Sequence, residues 1–151
     1  MLKSQIGEMR KFRSKEFGPC GPRECVTQDM FNAFGGVTGD DQWIHTNTER
    51  ARDSLFKGTV AQGHLLLSLT AEKLRPPRLF IIEDIQSEVV YSELIRYKRA
   101  VPAGAHIQGR QRLISVRRVR HVGLVLKFAI QVIFVDTGKV VMEGIVELLY
   151  R

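Results

Sequence analysis

The sequence predicts an α+β fold in which an antiparallel sheet curls over one long, buried central helix. Two observations carry this. The run from Val60 to Ala71 is apolar nearly all round, interrupted only by Gln62, His64, Ser68 and Thr70. A helix without a polar face is a buried one, and this run is too short to span a membrane. After Pro77 the chain reads as sheet, and its best segments alternate with a period of two. Helices followed by consecutive antiparallel strands bury their faces against each other in a layered α+β unit.

Taken in order, the N-terminal stretch MLKSQIGEMRKFRSKEF is basic and lightly amphipathic. Glu8 and Glu16 count against a transit peptide, so residues 1–17 read as a flexible or strand-forming arm. Thr27 is an N-cap for the first helix, with Asp29 at its positive end and Met30, Phe31 and Phe34 at helical spacing. Gly35-Gly36 and then Gly39 end that helix. A polar loop follows through Asp40, Asp41 and His45, and Thr46 or Thr48 caps a short helix from Glu49 to Ser54. Phe56-Lys57-Gly58 turns into the central helix, which is expected to run to about Arg75 before Pro76-Pro77 stops it.

Val89 to Val101 is strand-like and Pro102-Ala103-Gly104 is a turn. His106 to Val119 alternates with a phase slip between Arg112 and Ser115, the mark of a bulge. Val122, Leu124, Leu126, Phe128, Ile130, Val132 and Phe134 share one face, opposite Lys127 and Gln131. Asp136-Thr137-Gly138-Lys139 makes a hairpin turn, after which Val140, Met142, Val146 and Leu148 face one way and Glu143, Glu147 and Arg151 the other. The chain reads as one domain, 1–151, without repeats, linkers or low-complexity tracts.

Composition is that of a soluble, cytoplasmic globular protein: 44% apolar and 26% charged, with no secretory apolar region. Cys20 and Cys25 form neither a zinc knuckle nor a disulfide framework, so reduced thiols are expected. The net charge of +7 is unevenly spread. Between Glu93 and Asp136 there is no acid, while Arg96, Lys98, Arg99, Arg110, Arg112, Arg117, Arg118, Arg120 and Lys127 fall there. Such a field attracts nucleic acid, a phosphate-bearing molecule or an acidic carrier protein. The plainer reading is the solvated face of a sheet, with long side chains lying over it.

Asp40 and His45 bring a carboxylate and an imidazole together ahead of the central helix. A lone D-x4-H is frequent by chance, and Gly-Asp by itself is commonly a turn. The surrounding residues narrow this. TGDDQWIH, from Thr38 to His45, is followed by FKGTVAQGHL, from Phe56 to Leu65, and by Arg96-Tyr97 ahead of Val101-Pro102-Ala103-Gly104. Together they resemble the MaoC-like, R-specific enoyl-CoA hydratases, closest to their nodulation-protein-N-like branch, over roughly residues 26 to 150.

The resemblance implies a hot-dog fold, a homodimer and reversible syn addition of water to a trans-2-enoyl thioester. It assigns Asp40 and His45 as the catalytic pair and the Gly63 backbone N–H as the oxyanion donor. Trp43, Gln62, His64, Arg96, Lys98 and Arg99 become candidate substrate-binding residues. Gln62 stands where the family usually has the His of A-H-G, and Gln42-Trp43 replaces Asn-Pro, as in the named branch.

The chemistry fits those residue types. Hydration needs a base for water, an acid for the α carbon and a donor for the thioester oxygen. A carboxylate and an imidazole sharing a water supply the first two. An N–H in the first turn of a helix supplies the third, and glycine lets a ligand approach the backbone. No cofactor or metal is expected. The substrate is an acyl thioester of coenzyme A or of acyl carrier protein, and neither nucleic acid nor membrane is an expected partner. His64 also fits a packing or capping role, Trp43 an ordinary core role, and Asp41 solvent; His106 and His121 receive no role. Two alternatives stand beside the lyase: a hot-dog thioesterase, and a non-catalytic module binding acyl thioesters or nucleic acid.

Overall fold

The computed structural model describes residues 2–79 and 87–150, so the part of the expected sheet region at 80–86 lies outside the described residues. Five helices precede the main strands: α1 Leu2–Lys11, α2 Gln28–Thr38, α3 Trp43–Thr46, α4 Thr48–Arg52 and α5 Gly63–Leu69. The strands are β1 Glu24–Cys25, β2 Ser87–Tyr97, β3 His106–Val119, β4 Gly123–Phe134 and β5 Val140–Tyr150. They form one antiparallel sheet in the order β1-β3-β4-β5-β2.

The alternation read from the sequence sets the inner face. Ile107, Leu113, Val116, Leu126, Phe128, Ile130, Val132 and Met142 join Phe31 and the α5 residues Leu65, Leu66 and Leu69 in one buried cluster. Ladder register confirms the expected bulge, since pairing of β3 with β4 shifts between Leu113 and Ser115. The Asp136–Lys139 turn closes the β4–β5 hairpin with Gly138 at φ 65°. Central β4 is buried on both faces: Val125, Ala129 and Ile133 lie beside Lys127 and Gln131 on the outer one. Val125 is flanked in register by Arg117 and Leu149, and Ala129 by Arg112 and Ile145. Long stems on neighbouring strands keep water from such short residues.

Four local expectations need correction. Residues 2–11 form a helix rather than a flexible or strand-forming arm, and its Ile6 and Met9 are buried in the core cluster. That apolar pair docks near β3, where Arg10 also reaches the Val116 carbonyl, and packing of this kind decides short helices more than propensity does. α2 passes through Gly35-Gly36 and ends at Thr38, where Gly39 takes the left-handed conformation (φ 78°) and donates to the Gly35 carbonyl. The short helix after the loop is capped by Asn47, whose side chain accepts from the Arg50 N–H, rather than by a threonine. The central helix is shorter than expected, ending at Leu69. Beyond it Thr70 and Ala71 donate to carbonyls three residues back, and the Thr70 hydroxyl also takes the Leu67 carbonyl. Hydroxyls competing for helix carbonyls loosen a helix into tighter turns. The fully buried Leu74 anchors the end of this segment.

Candidate functional site

Four consecutive residues, Val60 to Gly63, organise the site. They enter α5 as extended backbone, tied to the next loop by Ala61 N–H donating to the Val101 carbonyl (2.8 Å) and by a bridge between Val60 and Pro102. Val60 and Gln62 then fix parts of the Asp–His loop. The Val60 carbonyl faces His45 Nδ1 at 2.6 Å. Gln62, 1% exposed, sends its side-chain amide to the Phe31 carbonyl (3.0 Å) and to the Asp40 carbonyl (3.2 Å). Gly63 follows as the first residue of α5, where an N–H has no partner within the helix.

A second glutamine completes the framework. Gln28, in the first turn of α2, donates to the His45 backbone carbonyl at 2.7 Å and accepts from the Thr59 hydroxyl at 2.6 Å. Two glutamine side chains therefore hold the backbone carbonyls of the two candidate catalytic residues. Gly35 lets the loop fold back onto α2, because a Cβ there would stand 3.0 Å from the Asp40 carbonyl oxygen.

The geometry at the side chains follows. His45 lies on α3, a single helical turn that replaces the open loop expected from sequence. A carbonyl only accepts, so Nδ1 carries the proton and Nε2 of the neutral ring presents a lone pair. Nε2 stands 4.0 Å from Asp40 Oδ2, and the two side chains are 13% and 36% exposed. That gap is too long for a direct hydrogen bond and admits one water about 2.8 Å from each atom. Asp40 Oδ1 accepts from the Gln42 side chain at 3.1 Å, which fixes the carboxylate and leaves Oδ2 toward His45. Asp41 is exposed, as the sequence suggested.

The other candidates distribute around this centre. Trp43 is 37% exposed and carries the Arg50 guanidinium 4.4 Å from its ring centroid. His64 is exposed and meets the Tyr97 ring edge-on at 6.3 Å. Tyr97 itself lies over Gly63: a Cβ on Gly63 would come within 3.0 Å of its ring carbons. Partial burial raises the Tyr97 hydroxyl above its ordinary pKa of 10.0, so it remains a protonated donor at physiological pH. Lys98 pairs with Glu143 at 2.7 Å, and Arg96 adds attraction that helps hold the Glu143 carboxyl below its ordinary range, after the Lys98 hydrogen bond. The Arg99 guanidinium donates to the Val140 carbonyl and lines a cleft of about 850 Å³.

Much of the acid-free basic interval is engaged on the outer face. Arg117 and Lys127 share Glu147, and Arg110 bonds Gln131, which in turn bonds Glu143. Among the described residues no three His, Cys, Asp or Glu side chains gather to hold a metal. No described helix is long and apolar enough to cross a membrane. Sequence reasoning missed Gln28, the Val60 carbonyl and Tyr97. Only Tyr97 carried a signal, as an aromatic isolated on a basic stretch.

Comparisons with known proteins bear on the family and the fold. A family profile described as MaoC like domain matches residues 20–131. The 3-hydroxyacyl-thioester dehydratase Z of Mycobacterium tuberculosis is 29% identical over 92 residues, 60% of each chain. Nodulation protein N of Rhizobium leguminosarum bv. viciae is 32% identical over 93 residues, 60% of this chain and 58% of that one. The chain therefore aligns with about three fifths of the length of each relative. Among solved structures, an (R)-hydratase from A. caviae involved in PHA biosynthesis superimposes with a TM-score of 0.68 at 16% identity, covering 90% of this chain and 97% of that one. The described residues form a five-stranded antiparallel sheet with the hot-dog architecture of these structural neighbours, and by the profile match over most of its length the chain belongs to the MaoC-like dehydratase family.

Proposed function

We propose that the chain is an (R)-specific enoyl-thioester hydratase, running equally as a 3-hydroxyacyl-thioester dehydratase, with Asp40 and His45 as its acid–base pair. One observation carries this reading: the 4.0 Å gap between Asp40 Oδ2 and His45 Nε2, with the other ring nitrogen committed to Val60. A water in that gap donates to both acceptors and turns a lone pair toward substrate. As its oxygen bonds the β carbon, the pair takes one proton from it and returns one proton to the α carbon. Both groups thus end the turnover as they began, and delivery of O and H from one side gives syn addition. Such proton transfers contribute about 10²–10⁴-fold.

The Gly63 N–H is the proposed donor to the thioester oxygen, which gains charge as the enolate forms. Gln62 ties this donor to Asp40, and Val60 ties it to His45, so one segment, Val60 to Gly63, joins the three parts. Trp43, His64, Arg99 and Tyr97 are the side chains we propose to contact the substrate, and no resident cofactor enters the scheme. We also propose a homodimer. β2 forms one edge of the described sheet and exposes Leu94 (60%) and Tyr97 (44%), an apolar edge of the kind a second copy covers. Nucleic acid is a poorer partner, because Lys98, Arg110, Arg117 and Lys127 are occupied within the sheet face.

The test is direct. Crotonyl-CoA should lose its enoyl absorbance on addition of the protein, and the product should be the R-configured 3-hydroxybutyryl thioester. Release of free thiol without loss of the double bond would replace this reading with a thioesterase.

A further inference from the structure

We infer that the cleft between β1, the 99–106 loop and the β4–β5 turn is a phosphate-binding site, and that it takes the nucleotide end of coenzyme A. This rests on the thioester reading above and adds where the distal part of the substrate is held. The cleft of about 850 Å³ is lined by Arg23, Arg99, His106 and Lys139 among others, a volume suited to a nucleotide-sized ligand. Among the described residues Asp136 is the one carboxylate on its wall, and its Oδ1 accepts from the Thr137 N–H. Three permanent cations therefore face one carboxylate. Among the described residues Arg23, His106 and Lys139 form no ion pair, in contrast to Lys98, Arg117 and Lys127 on the outer face. Arg99 spends its hydrogen bond on the neutral Val140 carbonyl, which orients the guanidinium and leaves its charge uncompensated.

Position supports the assignment. Pro102, on the cleft wall, bridges Val60, the residue whose carbonyl holds His45. Arg99 is two residues from Tyr97, whose ring covers Gly63. Pro102 thus links the cleft to the segment that holds His45, while the cleft lining includes neither Asp40 nor His45. A substrate whose phosphates are remote from its reacting carbonyl needs this arrangement: a positive recess beside the centre, joined to it by a short path. Binding made there is equal in ground and transition states, so it belongs in KM.

The experiment compares two ligands on the wild-type protein and on Arg23→Ala/Lys139→Ala, both positions being exposed. Adenosine 3′,5′-bisphosphate, the phosphate-bearing end alone, is titrated calorimetrically at low and high salt. Crotonyl-CoA and crotonyl-pantetheine, which lacks the nucleotide, are then compared kinetically. The expected result is salt-sensitive binding of the bisphosphate that the double variant weakens roughly tenfold, matched by a rise of about tenfold in KM for crotonyl-CoA. Neither kcat nor the kinetics with crotonyl-pantetheine should change. Bisphosphate binding that is absent, or equal in both proteins, overturns the site, as does an equal rise in KM for both thioesters. Bisphosphate binding through the cleft in a protein that hydrates neither thioester would keep the site and discard the reaction.

Discussion

Gln62 offers the sharpest separation between holding the fold and holding the chemistry. Its side-chain amide donates to two carbonyls, Phe31 at 3.0 Å and Asp40 at 3.2 Å, from a site 1% exposed. Gln62→Leu keeps the volume and removes both bonds. Two hydrogen bonds at about 1 kcal/mol each set the loss near 2 kcal/mol. The substitution also removes Gln62 Oε1, a buried acceptor with no partner among the described residues. Removing an unsatisfied group returns about 1–3 kcal/mol, so the two effects nearly cancel and the melting temperature should move by only a few degrees. Activity should respond differently. Asp40 loses the contact tying its backbone to the Gly63 segment, and a displacement of about 1 Å at a reacting group costs on the order of 100-fold. We expect kcat for crotonyl-CoA hydration to fall about 10–100-fold with KM little changed, measured beside thermal unfolding. A Gln62→Leu protein with kcat within twofold of wild type would show that the loop is positioned without this residue.

Gly63→Ala should lower kcat by displacing the Tyr97 ring, whose carbons stand 3.0 Å from the new methyl group, and Gly63→Ala with Tyr97→Ala should recover part of the loss if crowding is the cause. Light scattering at micromolar concentration should give the mass of a dimer; a monomeric mass refutes pairing through β2. Glu143 supplies a pH effect. Its folded pKa lies below the ordinary 4.5, chiefly through the Lys98 hydrogen bond, so its stabilising contribution is complete above that value and fades as pH falls through the lowered one. The Glu143→Gln protein should therefore lose less stability than wild type between pH 5 and pH 3, and since the partners are partly exposed the difference should stay near or below about 1 kcal/mol.

The features legible in the sequence were those set by local periodicity and turn chemistry. Thr27 was readable as an N-cap because a hydroxyl ahead of an apolar period has few other uses, and its Oγ1 accepts from the Met30 N–H. The slip between Arg112 and Ser115 was readable because one extra residue inverts every later side chain. Other features depended on distant partners. The charges between Glu93 and Asp136 look unpaired along the chain, yet Glu143 and Glu147 reach several of them across the sheet from β5. α1 is too short to persist alone and is held by the burial of Ile6 and Met9. In the candidate site, Asp40, His45 and Gly63 were named through the resemblance carried by TGDDQWIH and FKGTVAQGHL, since a D-x4-H spacing alone is common. The Val60 carbonyl was not, because a backbone acceptor leaves no trace in residue identity. Gln28 was missed for a related reason: an amide near a helix start has many ordinary uses, and only the fold brings it to His45.

The central claim is that Asp40 and His45 act as one unit on one water. Turnover of crotonyl-CoA by Asp40→Asn, His45→Gln and the double variant tests it most directly, with circular dichroism confirming that each protein is folded. Groups that share a proton-transfer step are strongly non-additive. Each single variant should lose about 10²–10⁴-fold in kcat, and the double variant should be hardly worse than the poorer single one. Near-normal turnover in either folded single variant, or losses that multiply in the double variant, would contradict the account.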